Sequence, residues 1–288
     1  MEDAEELLAA VVTWARQDDR ITALVQTGSR GRGDRIDRYS DLDLEIITPH
    51  WPEFFADRSW LHRFGDVLLA VSFEDENEDE AMDHPWPAPL VVVYAGGRKM
   101  DVTIAGEERL TGMIEHGLDE LYQRGFRVHL DRAGLAARLP APTGETPKPA
   151  LPDLAEFTAV TDEFLFEATQ VPIYLNRGEL WVAKFRDNTM KECLLLMLEW
   201  YGASDPDRPR YTWYIGHHMD EWLPADLWRR VHETFGRFDA DDARRALDAT
   251  VDLFAEVAAE VAARLGFPWH GEPVDGVRRL LAEYRTHR

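Results

Sequence analysis

Between residues 140 and 152 the chain carries five prolines in thirteen positions, and its hydrophobic pattern differs on the two sides of that stretch. Proline lacks a backbone donor and pins φ, so neither a helix nor a central strand runs through such a segment; it reads as a linker. Upstream, as far as Leu139, short β-branched runs alternate with amphipathic stretches. Downstream, from Asp153, apolar residues recur at helical spacing only, with helices expected near 153–175, 178–201, 225–235, 241–265 and 275–286. The expectation is an α+β chain: a mixed β-sheet with helices over 1–139, a linker over 140–152, and an all-α bundle over 153–288. A cleft between the halves would suit a site for two substrates.

The chemistry-bearing residues lie in the first half. An opening amphipathic helix, from about Asp3 to Arg16, leads into a short strand at Leu24–Thr27 and a small-residue turn at Gly28-Ser29-Arg30. Glycine permits close backbone approach to an anion, and a serine hydroxyl can donate to its oxygens. Asp41-Leu42-Asp43 then opens a second strand that continues to Ile47. Residues i and i+2 share one face of a strand, so Asp41 and Asp43 project together, and hard oxygen ligands on one face suit Mg²⁺. A hairpin is expected at Val91–Tyr94 and Met100–Ile104, and Asp101 is the charge inside its second, otherwise apolar strand. A buried carboxylate needs a partner or a metal. Asp41, Asp43 and Asp101 are therefore the candidate catalytic and metal-binding set, and the pattern points to phosphoryl or nucleotidyl transfer.

Charge agrees with this. The chain has 32 Lys+Arg against 54 Asp+Glu, a net charge of −22, yet Arg30, Arg32, Arg35 and Arg38 crowd together just after the glycine-serine turn. A basic island there reads as a triphosphate clamp, with Arg30 as its leading candidate. Elsewhere the acidity speaks against a nucleic-acid partner and for a cationic second substrate. The run Glu74–Asp83, seven acids in ten residues, reads as a solvated loop or a lip attracting such a cation.

The order Gly-Ser-Arg, Asp-x-Asp on a strand, and a later strand carboxylate resembles the signature of the nucleotidyltransferase superfamily. The closer resemblance is to the aminoglycoside 6-adenylyltransferases (streptomycin adenylyltransferases). It includes Asp18-Asp19-Arg20-Ile21, Trp60 to Gly65 and Arg98-Lys99-Met100-Asp101-Val102-Thr103. In the helical half it includes Glu163-Phe164, Tyr174, Arg177, Glu179-Leu180, Ala183-Lys184 and Met197-Leu198-Glu199-Trp200. Ile215-Gly216-His217-His218 departs from it, standing where many members carry a glycine-lysine pair. The resemblance implies a nucleotidyltransferase-type sheet domain, ATP as co-substrate, Mg²⁺, and AMP transfer to a hydroxyl of a small cationic aminoglycoside, position 6 of streptomycin. It also implies that Asp101 either completes the metal shell or takes the proton of the attacking hydroxyl. A different small hydroxylated acceptor, or a non-catalytic ligand-binding relative, is the alternative.

The helical half adds weaker candidates. Lys184 lies in an apolar run and would either reach the phosphates or snorkel to the surface. Glu163 and Glu167, at i and i+4, would repel unless a cation such as a guanidinium-bearing drug sat between them. Trp200, Tyr201, Tyr211, Trp213 and Tyr214 read as core or interface aromatics. Cys193 is the single cysteine and reads as a small buried apolar residue. No apolar run is long enough to span a membrane. The acidic N-terminus is unlike a signal peptide, so a cytoplasmic monomer or homodimer is expected.

Overall fold

Alternation of aspartate with leucine and isoleucine along one strand decides how the sheet is buried. The computed structural model describes residues 4–72, 85–147, 149–212 and 215–286. The acidic run at 74–83 and the aromatics Trp213 and Tyr214 lie outside the described residues. The chain folds as two compact units, Met1–Thr146 and Pro147–Arg288.

In the first unit the strands are β1 (Ala23–Gln26), β2 (Leu42–Ile47), β3 (Val67–Ser72), β4 (Leu90–Tyr94), β5 (Lys99–Ala105) and β6 (Arg127–Asp131). They form a mixed sheet of order β3-β4-β5-β2-β1-β6. The central β2 pairs parallel with β5 and antiparallel with β1. Helices α1 (Ala4–Gln17), α2 (Gly28–Arg32), α3 (Trp51–Ala56), α4 (Glu108–His116) and α5 (Glu120–Gln123) connect or cover the strands. A 3-10 segment over Arg58–Phe64 lies between α3 and β3.

One sheet face is apolar throughout. Leu42, Leu44 and Ile46 of β2 and Met100, Val102 and Ile104 of β5 pack with Leu7, Val11 and Trp14 of α1 and with Trp60 and Phe64. Trp14 and Trp60 stack with ring centroids 5.0 Å apart. The opposite face is divided. Its far half, with Ala23, Val25, Ile47 and Ala105, is packed against Leu110 and Met113 of α4 and Tyr122 of α5. The half at the start of β2 and β5 carries Asp41, Asp43, Lys99 and Asp101 instead.

The second unit contains α6 (Leu154–Asn176), α7 (Leu180–Ala203), α8 (Met219–Trp222), α9 (Ala225–Glu233), α10 (Ala240–Leu265) and α11 (Glu272–Thr286). A capping box opens α6: Asp153 accepts from Glu156 N, and Glu156 accepts from Asp153 N. Gly178, at φ +75°, separates α6 from α7, and Gly266, at φ +73°, caps α10. Phe164 and Phe254 stack at the centre of this core. Cys193 is buried there, and burial pushes its thiol up to about 12, so it is inert at neutral pH.

Candidate active site

Register brings the predicted carboxylates together. Asp43 and Asp101 are direct partners across the parallel β2–β5 pair, and strand alternation places Asp41, Asp43 and Glu45 on the same face as Lys99, Asp101 and Thr103. Lys99 Nζ donates to Asp41 Oδ2 at 2.7 Å and to Asp101 Oδ2 at 2.8 Å. The Lys99 and Asp41 side chains are 39% and 35% exposed, and Asp101 is 26% exposed. Asp101 Oδ1, by contrast, is buried with no hydrogen-bond partner.

Electrostatics follow from three acids and one lysine in a half-buried patch, with Arg32 of α2 also acting on Asp43. Burial, reinforced by the charges of Asp41 and Asp101, pushes Asp43 up to about 6. Burial also raises Asp101, against the opposing pull of Lys99. Burial works against the charge on Lys99, but its two carboxylate partners hold it above the usual lysine range.

The glycine-serine turn lies directly on this patch. Gly28 has φ +63°, and a Cβ there would stand 1.8 Å from Asp43 Oδ2. Only glycine lets the turn and that carboxylate share the space. Thr27 N donates to the Asp43 carbonyl at 3.1 Å, which ties the turn to β2. A Cβ on Gly31 would meet the Gln26 carbonyl oxygen at 2.6 Å, so the return of α2 over β1 also needs glycine. Ser29, half-buried in the first turn of α2, completes the rim.

Arg30 departs from the expected phosphate clamp. Its guanidinium is buried and donates to Glu5 Oε1 and to the carbonyls of Ser40 and Asp37. It pins the 34–40 loop that delivers Asp41, because a buried guanidinium takes internal acceptors. Arg38 stacks on Tyr39.

In the helical unit, Lys184 Nζ donates to the Gly236 carbonyl at 2.8 Å and lies 4.0 Å from Asp187 Oδ2, so the expected snorkelling or outward reach is replaced by internal contacts. Lys191 takes the other oxygen of Asp187 at 2.6 Å. Glu163 and Glu167 do not act as a pair. Glu163 is exposed, whereas Glu167 is buried and accepts from Arg186 Nη1 at 2.8 Å. Arg186 of α7 is the counter-charge of Glu167, not a cation shared by both glutamates.

Three features went unread in the sequence. Lys99 had a signal, since it stands two positions before Asp101 on the same face. Glu45 extends the alternation of Asp41 and Asp43 and is buried; Arg109 grips it bidentately at 3.1 Å and Tyr122 OH donates at 2.7 Å. Arg109 also reaches Asp119 Oδ2 at 2.6 Å. Nothing local marks Arg109 as the partner of a residue 64 positions earlier, and Gly31 was hidden by the more conspicuous Gly28. A recess of about 650 Å³ elsewhere in this unit, lined by Trp14, Asp18, Arg20 and Trp60 among others, contains none of the three carboxylates.

Among the described residues, no three His, Cys, Asp or Glu side chains converge as a ready-made metal cage. The ammonium of Lys99 stands between two of the three carboxylates. The donor set nevertheless fits a hard cation: carboxylate oxygens on one sheet face, one of them buried and unpaired. With a turn that admits close backbone approach beside it, the patch can bind a metal-polyphosphate and hold a proton acceptor next to it.

The chain is similar to a family model and to several known proteins. The family model described as Streptomycin adenylyltransferase matches residues 1–283. An aminoglycoside 6-adenylyltransferase of Staphylococcus aureus is 25% identical over 203 residues, 70% of each chain. The crystal structure of an aminoglycoside 6-adenyltransferase from Bacillus subtilis aligns over 99% of both chains at 17% identity, with a TM-score of 0.46. A nucleotidyltransferase-like protein from Exiguobacterium sibiricum aligns over 91% of this chain and 78% of its own, at 10% identity and a TM-score of 0.34.

Proposed function

The chain belongs to the streptomycin adenylyltransferase family, and on that premise we propose that it transfers AMP from ATP to the 6-hydroxyl of streptomycin in a Mg²⁺-dependent reaction. Adenylyl transfer to an aminoglycoside is the activity of the family; the metal, the acceptor and the residue roles are our reading. The observation that supports it best is the register pairing of Asp43 with Asp101, with Gly28 lying against Asp43.

Gly28 and Ser29 bind the β and γ phosphates through the turn. Asp41 and Asp43 would hold Mg²⁺, which when bound supplies positive charge at the polyphosphate. Asp101 takes the proton of the acceptor hydroxyl on its partly exposed carboxylate. The acceptor oxygen forms a bond to the α-phosphorus while the bond from that phosphorus to its bridging oxygen breaks, releasing pyrophosphate. Arg30 keeps the 34–40 loop in place and makes no phosphate contact.

The test is pyrophosphate release from MgATP with streptomycin, spectinomycin or kanamycin, followed by mass spectrometry of the drug. Streptomycin-dependent release with an added AMP mass is the expected result. Silence with all three in a protein that binds MgATP would overturn the acceptor assignment.

A further inference from the structure

Lys99 has no role in the chemistry just described, yet it stands at the centre of the site. Its Nζ bridges Asp41 Oδ2 and Asp101 Oδ2, so one ammonium joins a metal ligand to the proton acceptor. A divalent cation binds carboxylate oxygens directly and at short range. It and the ammonium therefore compete for Asp41 Oδ2 on grounds of both space and charge. The lysine cannot leave the site altogether, because its backbone is the first residue of β5 and pairs with Val93 of β4.

We propose that Lys99 is a resident counter-ion of the carboxylate patch, exchanged for Mg²⁺ when nucleotide arrives and transferred to the nucleotide's polyphosphate. The inference rests on the nucleotidyl-transfer reading above. Two independent features support it. The patch holds three carboxylates and a single lysine; Arg32 acts on Asp43 from α2, but without Lys99 the β2–β5 strand pair supplies no cation hydrogen-bonded to Asp41 and Asp101. Asp101 Oδ1 is buried and unpaired even with Lys99 in place, which shows that the lysine satisfies the patch incompletely. Exchange couples the two ligands. A metal arriving alone displaces the ammonium into solvent with no new partner, and binds weakly. A metal arriving with a polyphosphate supplies that partner, so each ligand strengthens the other by the same factor.

The experiment measures Mn²⁺ binding to the full chain by electron paramagnetic resonance of free Mn²⁺, with and without the non-transferable analogue α,β-methylene ATP. In wild type, Mn²⁺ alone should bind weakly and the analogue should strengthen it greatly. In Lys99→Met, Mn²⁺ alone should bind about tenfold tighter, the scale of one charge-assisted hydrogen bond removed from a competitor. The enhancement by the analogue should largely disappear. Lys99→Arg keeps the charge and should behave like wild type. Lys99→Gln, which retains most of the side chain's volume, serves where Lys99→Met folds poorly. The metal-free melting temperature of the uncharged variants should fall, and Mn²⁺ should restore it.

If wild type binds Mn²⁺ with the analogue, but Mn²⁺ alone binds Lys99→Met no tighter than it binds wild type alone, the role of Lys99 is overturned and the site assignment stands. A wild type that binds neither ligand overturns both.

Discussion

Asp43 is the residue on which the site's geometry and its electrostatics meet. It packs against Gly28, faces Asp101, and is pushed up to about 6 by burial and by its acidic neighbours. A raised pKa means that the fold favours the protonated form. In metal-free protein, the stability this group contributes is therefore lost as pH rises from 3.8 through about 6. Asp43→Asn removes that cost. It should make the metal-free chain more stable at pH 7.5 by about 1–2 kcal/mol and flatten the change between pH 4 and 6, read by urea unfolding in chelator. The same substitution should lower the rate of pyrophosphate release at least ~10²-fold. An active variant would sink the metal assignment. Gly28→Ala meets both a positive φ and the Asp43 carboxylate, so it should cost about 1–3 kcal/mol and abolish nucleotide binding, measured by unfolding and by calorimetry with MgATP. Asp101→Asn should leave nucleotide binding within a few-fold of wild type while slowing transfer ~10²–10⁴-fold, seen as a fall in kcat rather than a rise in KM.

At the scale of elements, the same alternation that presents Asp41 and Asp43 also buries Glu45, and α4 exists partly to meet it. Arg109 of α4 clamps Glu45 and Asp119 together, and Tyr122 of α5 closes the network. This network separates the apolar half of the face from the carboxylate half. Arg109→Met would strand a buried carboxylate, so it should destabilise by about 3–5 kcal/mol in urea unfolding. Glu45→Gln in the same chain should recover part of that loss, because the amide needs no counter-charge. Recovery absent from the double variant would mean that the helix packing, not the charge, carries the cost. Arg30 does similar work in α2, holding the loop before Asp41 by two carbonyls and Glu5.

At the scale of the whole molecule, a net charge of −22 concentrates cations near the surface. For a cationic acceptor, kcat/KM should therefore fall several-fold between ~0.05 and ~0.5 M salt, with the change mainly in KM. A neutral hydroxylated acceptor should show no such fall, and equal salt dependence for both would remove steering from the account. Among the described residues no helix is long and apolar enough to cross a membrane. Much of this molecule could be read from local pattern. Period two in Asp41–Ile47 placed two acids on one face and the leucines on the other. Helical period after Asp153 located α6, α7, α9, α10 and α11 to within a few residues, and the Gly-Ser turn followed by Asp-x-Asp pointed to nucleotidyl transfer, the activity class of the family that the chain belongs to. Those features depend on neighbours within one turn or one strand, where spacing alone fixes direction. The partners of the charges were decided by the tertiary structure. Parallel pairing of β2 with β5 set Asp43 opposite Asp101, α4 brought Arg109 to Glu45, and Arg30 and Lys184 turned inward to acceptors of their own units. A buried charge must find its counter-charge wherever the fold supplies one, and that place is set by register and packing between segments far apart in the chain.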